Sequence, residues 1–200
     1  MGYAAPMDSL TPQQRFIQTA LHLQKSALPL AQGYMQRQAA LGLEQVLSEE
    51  RLSSADGIAA SLAAVDGLEQ LVADNLASWQ QWMVEATRNL SAALEDFPEA
   101  ERAETSCSML ASIQVHMEFQ QRSMAARAEW IGAARTICRL AQLGRELAPD
   151  AAGPIFASED DLEEVKRQLA RIAAAAAEEQ QLLEERAARM RDSVAKLQPR

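Results

Sequence analysis

Two hundred residues, 48% hydrophobic but only 4% aromatic, with a formal net charge of -9, describe a single domain whose core rests on Ala, Leu and Met. The acidity argues against a nucleic-acid binder, which needs a basic surface to neutralise phosphates. Abundant alanine and scarce β-branched residues favour helix over sheet.

Met1 to Leu10 carries neither a basic flank nor a long apolar core, so it is no secretory signal and is expected to be a flexible N-terminus. Thr11-Pro12-Gln13-Gln14 predicts a helix start, with Thr11 as N-cap, Pro12 in the first helical position and Gln14 closing a capping box. The helix that follows sets Phe16, Ala20, Leu23 and Ala27 on one face. Pro29 should kink or split it, because the ring removes a backbone donor and crowds the preceding turn. Helical periodicity resumes from Leu30 to Leu47, and the polar stretch from Ser48 to Gly57 predicts a turn.

The most regular feature lies in the second long helix, expected from about Ser54 to Glu95. Ile58, Leu62, Val65, Val72, Leu76, Trp79, Met83, Ala86, Leu90, Ala93 and Phe97 follow one another at steps of three and four, and only Glu69 interrupts the row. Asp96-Phe97-Pro98 ends it. Such a helix is on the order of 60 Å long, and its seam must bury against other helices. Gly57 and Gly67 weaken its first turns by roughly 1 kcal/mol each relative to Ala, which allows a break near Asp66-Gly67.

A third helix is expected from Pro98 to about Leu147, with apolar positions on two adjoining stripes. One holds Leu110, Ile113, Met117, Met124, Ile131 and Cys138; the other holds Met109, Phe119, Trp130, Ile137 and Leu140. So broad an apolar face is usually sandwiched between neighbours or covers a non-aqueous surface. The same stretch sets Arg122, Arg127, Arg135, Arg139 and Arg145 against one acid, Glu129. Cys107 and Cys138, about 46 Å apart on an unbroken helix, cannot form a disulfide and are expected to be buried, reduced thiols.

Two prolines and a glycine in Pro149-Asp150-Ala151-Ala152-Gly153-Pro154 mark a linker over 149–157. Ser158-Glu159-Asp160-Asp161 then caps a final amphipathic helix over 158–198. Leu162, Leu169, Ala176, Leu183, Met190 and Leu197 recur there every seven residues, while a companion row starts with Val165 and Ile172 and decays to Glu179, Arg186 and Ser193. Leu162, Val165, Leu169, Ile172 and Leu183 are therefore the candidate oligomerisation residues of a coiled-coil-like element. The expected fold is all-α: long antiparallel helices in an elongated bundle over 11–148, followed by the linker and the C-terminal helix. No stretch has the roughly 18–20 apolar residues of a membrane span, so a soluble, cytoplasmic protein with no transmembrane segment is expected.

No site chemistry emerges. GxGxxG and GxxxxGK are absent, two histidines and two cysteines form no zinc spacing, and neither histidine completes a Glu-x-x-His pair. Catalytic, metal and cofactor residues are thus expected to be none, and the chain is expected not to be an enzyme. His22-Leu23-Gln24-Lys25-Ser26 resembles the phosphorylatable segment of histidine phosphotransfer domains, with a histidine, a lysine three residues on and a small residue after it. Gln24 stands where an apolar residue is usual there, and Ser26 where glycine is usual.

Around Leu76 to Phe97 the string NLASWQQWMVEATRNLSAALEDFPEA resembles the middle of phasins, bacterial proteins that coat polyhydroxyalkanoate granules. The Gln-rich helix that follows there has its counterpart in Cys107 to Gln142, with Gln114, Phe119, Gln120, Gln121 and Met124, and the match covers about residues 16–147. The acidic helix after Pro154 and the three tryptophans depart from the pattern. The resemblance implies a granule-associated protein without a catalytic set. Its apolar faces would lie on polyester, with negative charge outward to keep granules apart. The granule or partner surface would then draw on Leu76, Trp79, Trp82, Met83, Leu90, Met117, Phe119, Met124, Trp130 and Ile131. The same stripes also suit a protein-binding adaptor, secretion chaperone or oligomeric scaffold, and a homo-oligomer is expected in either case.

Overall fold

The computed structural model describes residues 10–197, with the side chains of Met190 and of 192–197 left out. The expected N-terminal segment therefore lies, but for Leu10, outside the described residues, as do the side chains at the Met190 and Leu197 positions of the last heptad row. Five α-helices are formed and no strand is present among the described residues. They are α1 (Pro12–Ala39), α2 (Glu49–Leu52), α3 (Ala55–Leu94), α4 (Glu99–Leu147) and α5 (Glu159–Leu197), with a 3-10 turn at Leu43–Gln45. The chain is an all-α helical bundle.

The capping box at the start of α1 is complete: the Gln14 amide donates to Thr11 Oγ1 at 3.2 Å and the Thr11 amide to Gln14 Oε1 at 2.9 Å. Pro29 does not split the helix, which continues to Ala39 with the ring exposed. The helical stretch expected to reach Leu47 ends sooner, at Ala39, where the chain turns through Gly42 at φ +59°, a left-handed conformation open to glycine. Gly67 does not break α3. A Cβ there would lie 2.9 Å from Leu41 Cδ2, so its lack of a side chain admits the loop that crosses it.

Contacts divide the chain into two units, to each of which α3 and α4 contribute a segment. Unit 1 consists of the described part of Met1–Arg37 together with Leu71–His116. Here α1 and α3 run antiparallel. Arg15 pairs with Asp96 at 2.8 Å, Phe16 meets Phe97 edge-on at 6.0 Å between centroids, and Trp82 Nε1 donates to Ser26 Oγ at 3.0 Å. Leu23, Tyr34, Leu71, Val72, Ala86, Leu94 and Phe97 are its buried residues.

Unit 2 consists of Gln38–Gln70 and Met117–Arg200. Its centre is Val46, Leu52, Ile58, Val65 and Leu68 against Ile131, Ile137 and Cys138, with Ala133, Ala134 and Ala141 fully enclosed. Small residues along α4 let its neighbours approach closely. Gly144 is the extreme case: a Cβ there would lie 2.1 Å from the Ile155 carbonyl oxygen, so the Pro/Gly linker is seated directly on the helix. Arg145, 9% exposed, fastens it by donating to the carbonyls of Pro149 (3.2 Å), Ala151 (2.7 Å) and Gly153 (2.7 Å), and also to that of Ser53. The linker is a packed strap rather than a free spacer.

Helix α5 then runs antiparallel to α4. Arg122 holds Glu178 at 2.8 Å and Glu185 at 2.9 Å, Arg127 holds Glu179 at 3.0 Å, and Arg171 reaches back to Glu129. Arg135 meets Asp66 and Glu69 of α3 at 2.7 and 2.8 Å. Three arginines of the α4 run, Arg122, Arg127 and Arg135, are thus the counterparts of acids on α3 and α5. The companion row of α5 did not fade into solvent at Glu179; it changed from apolar burial to ion pairing.

Candidate functional site

Unit 1 carries a groove of about 450 Å³. Its apolar floor comes from Phe16 of α1, Trp82, Met83 and Leu90 of α3, and Met109 and Ile113 of α4. Along α4, Thr105, Ser108, Ser112 and His116 add hydroxyls and an imidazole at steps of three and four, which is one helical face. Trp79 braces the same region, with its ring 5.3 Å from Trp82 and 5.9 Å from His116 between centroids. No Asp, Glu, Lys or Arg lines the groove. Chemically it can hold an uncharged apolar surface and offer hydroxyls at one rim; it presents no acid-base pair.

Apolar side chains also stand outside the groove. Ile17, Leu21, Leu28 and Met35 of α1 are 51–60% exposed, the last three at seven-residue intervals. Val84 of α3 and Leu110 and Val115 of α4 are exposed as well. Sequence reasoning missed this second face of α1, because Phe16, Ala20, Leu23 and Ala27 already accounted for one apolar side. The Leu21, Leu28, Met35 spacing was the signal that could have found it.

The ten candidate surface residues divide between the two units. Leu76, Trp79, Trp82, Met83 and Leu90 belong to unit 1 and are all half-buried, with Trp82, Met83 and Leu90 in the groove. The other five belong to unit 2. Met117 is 53% exposed. Phe119 lies beneath the Arg189 guanidinium at 4.7 Å, and Met124 is half-buried. Trp130 lines a separate pocket of about 300 Å³ with Arg127, Ala175, Ala176 and Glu179. Ile131, only 4% exposed, is a core residue of unit 2, so it contacts no surface in the closed unit.

The candidate oligomerisation residues also separate. Val165 and Ile172 are half-buried against unit 2, whereas Leu162, Leu169 and Leu183 face outward. One cysteine departs from expectation: Cys138 is buried, but Cys107 is exposed, because α4 buries no side chain over Glu99–His116. Burial pushes the Cys138 thiol up to about 11, since a thiolate is disfavoured away from water. His22 and Lys25 lie exposed on α1.

Among the described residues no cluster of three or more His, Cys, Asp or Glu side chains is placed to hold a metal ion, and no helix is long and apolar enough to cross a membrane. Comparison with protein families, with curated proteins and with solved structures finds no match for this chain.

Proposed function

We propose that this chain is a non-enzymatic, phasin-like protein that coats polyhydroxyalkanoate granules, and that it adsorbs through unit 1. The observation that carries this reading is the packing of that unit. Its α4 segment buries no residue, large apolar side chains line an uncharged groove, and others stand exposed on α1, α3 and α4. Apolar side chains left open in such number mark an interaction surface. Covering it with polyester recovers about 25 cal/mol for each Å² removed from water, against a modest loss of internal packing. The thioethers of Met35, Met83 and Met109 adapt to an irregular surface better than branched side chains do. The net charge of -9 then keeps coated particles apart.

Adsorption to polyester particles tests the reading. The triple variant Leu21→Gln/Leu28→Gln/Met35→Gln removes three exposed apolar side chains, so it should keep its helicity and bind at least about tenfold more weakly. Equal binding by variant and parent, or no binding by either, would overturn the proposal. The competing reading is a helical adaptor, chaperone or scaffold, for which the concave shape of the groove is the favouring observation. It predicts stoichiometric retention of one defined protein, with polyester failing to compete.

A further inference from the structure

The groove of unit 1 is uncharged but not wholly apolar, and its polar groups follow a pattern of their own. Thr105, Ser108 and Ser112 succeed one another along α4, and Thr87 adds a fourth hydroxyl from α3. Ser112 commits its proton within its own helix, to the Ser108 carbonyl at 3.0 Å. The hydroxyls of Thr87, Thr105 and Ser108 donate to no protein group among the described residues. Each therefore has a proton to offer to whatever fills the groove.

These groups select the occupant by exclusion. No Asp, Glu, Lys or Arg lines the groove, so a carboxylate or ammonium would leave water without meeting a counter-charge. A plain hydrocarbon would cover Phe16, Trp82, Met83 and Ile113, but it would strip water from the hydroxyls and return no acceptor. A neutral chain that is apolar along one side and bears carbonyl oxygens along the other satisfies both parts.

Spacing narrows the class further. Thr105 and Ser108 are three residues apart, a rise of about 4.5 Å along the helix. A 3-hydroxyalkanoate polyester repeats every four backbone bonds. Scaled from the roughly 3.5 Å reach of a three-bond peptide unit, that repeat extends to about 4.7 Å. Because the repeat is even, successive carbonyls stay on the same side of an extended chain. The groove, about 450 Å³, is about fifteen times the volume of one water, room for about two six-atom hydroxybutyrate units.

We infer that the groove holds one segment of the polyester chain, with Thr105 and Ser108 donating to successive ester carbonyls and Thr87 to the same segment from α3. The inference rests on the granule reading for its polymer and deepens it: the protein distinguishes ester from hydrocarbon rather than adsorbing to any apolar surface.

Calorimetric titration of the full chain with a methyl-capped 3-hydroxybutyrate oligomer, about three units long, should show saturable binding with a Kd below about 1 mM. The double variant Thr105→Val/Ser108→Ala keeps the shape of the groove and removes two donors. It should bind the oligomer at least about tenfold more weakly with unchanged helicity, and lose the parent's preference for polyester over polystyrene particles. A parent that adsorbs equally to both particles and ignores the oligomer would overturn this inference and leave the granule reading standing. A parent that adsorbs to neither would overturn both. Oligomer binding indifferent to the double variant would remove the hydroxyls from the account. A capped apolar peptide that binds more tightly than the oligomer would also overturn it, and give the groove to a protein partner.

Discussion

Within unit 1, α4 runs from Glu99 to His116 without burying a side chain; within unit 2, the same helix buries nine residues between Ala126 and Arg145. The difference lies in what each stretch offers its neighbours. Ala126, Ala133, Ala134, Ala141 and Gly144 let other backbone and side chains close over Ile131, Ile137 and Cys138, whereas Glu101, Glu104, Ser108 and Ser112 leave Met109 and Ile113 at the edge of a groove. Unit 2 also ties its helices with ion pairs that cross from α4 to α3 and α5. Interior density, not hydrophobic content, separates a part that holds its shape from a part that has apolar surface to give away.

Each unit carries one cysteine, and the largest expected contrast is between them. Cys138, buried and with its pKa pushed up to about 11, is only about 0.1% thiolate at pH 8. Cys107 is exposed. Labelling by a thiol reagent should therefore be at least about 100-fold faster at Cys107, as peptide mapping would show. Comparable rates would mean that unit 2 opens as readily as unit 1, and the contrast would fail. Repeating the measurement on polyester-bound protein sharpens it: adsorption through unit 1 alone leaves Cys138 protected.

Paired glycine substitutions come next in size. Gly33, inside α1, has open space where a Cβ would go, while Gly144 faces the Ile155 carbonyl at 2.1 Å from that position. Helix propensity favours Ala at both sites by up to about 1 kcal/mol. At Gly144 the contact is with backbone that cannot swing aside, so the clash wins and Gly144→Ala should cost about 2–4 kcal/mol. Gly33→Ala should gain about 0.5–1 kcal/mol. Urea denaturation followed separately at the two cysteines would assign each change to its unit.

Acid should have the smallest effect, and it acts on α5. The Arg122 guanidinium, aided by Gln181, holds the Glu185 carboxyl below the usual range, and hydrogen bonds from Gln168 and Arg167 do the same for Glu164. A carboxyl depressed in the folded state lends stability above its unfolded value of about 4.3 and loses it as pH falls through the folded value. The urea midpoint should thus decline below about pH 4, and Glu185→Gln should flatten that decline. An identical pH profile in the variant would remove the Arg122–Glu185 pair from the account.

Much of the fold was legible in the chain because helices announce themselves locally. Thr11 and Gln14 capped as read, Asp96-Phe97-Pro98 ended α3, and Ser158 opened α5. Pro29 does not split α1, because an exposed proline removes only one hydrogen bond, a loss the rest of a 28-residue helix absorbs. Less of the candidate site was legible. Trp82, Met83 and Leu90 reached the groove, but Phe16 and Ile113, contributed by other helices, joined them only through tertiary packing. Ile131 and Met117 share a stripe on paper and differ in burial from 4% to 53%, since a stripe tells which side is apolar and not which length of it finds a neighbour. Arg122, Arg127 and Arg135 were visible, but their acids lay 52 to 69 positions away, beyond any local rule.

Arg145 and the strap it holds have one further consequence. Its four acceptors are carbonyl oxygens, which gain no proton on acidification, whereas the far attachments of α5 include the Arg122–Glu185 pair. The last helix is therefore riveted at one end and latched at the other, and when the latches let go it peels from its tail toward a pivot that stays put.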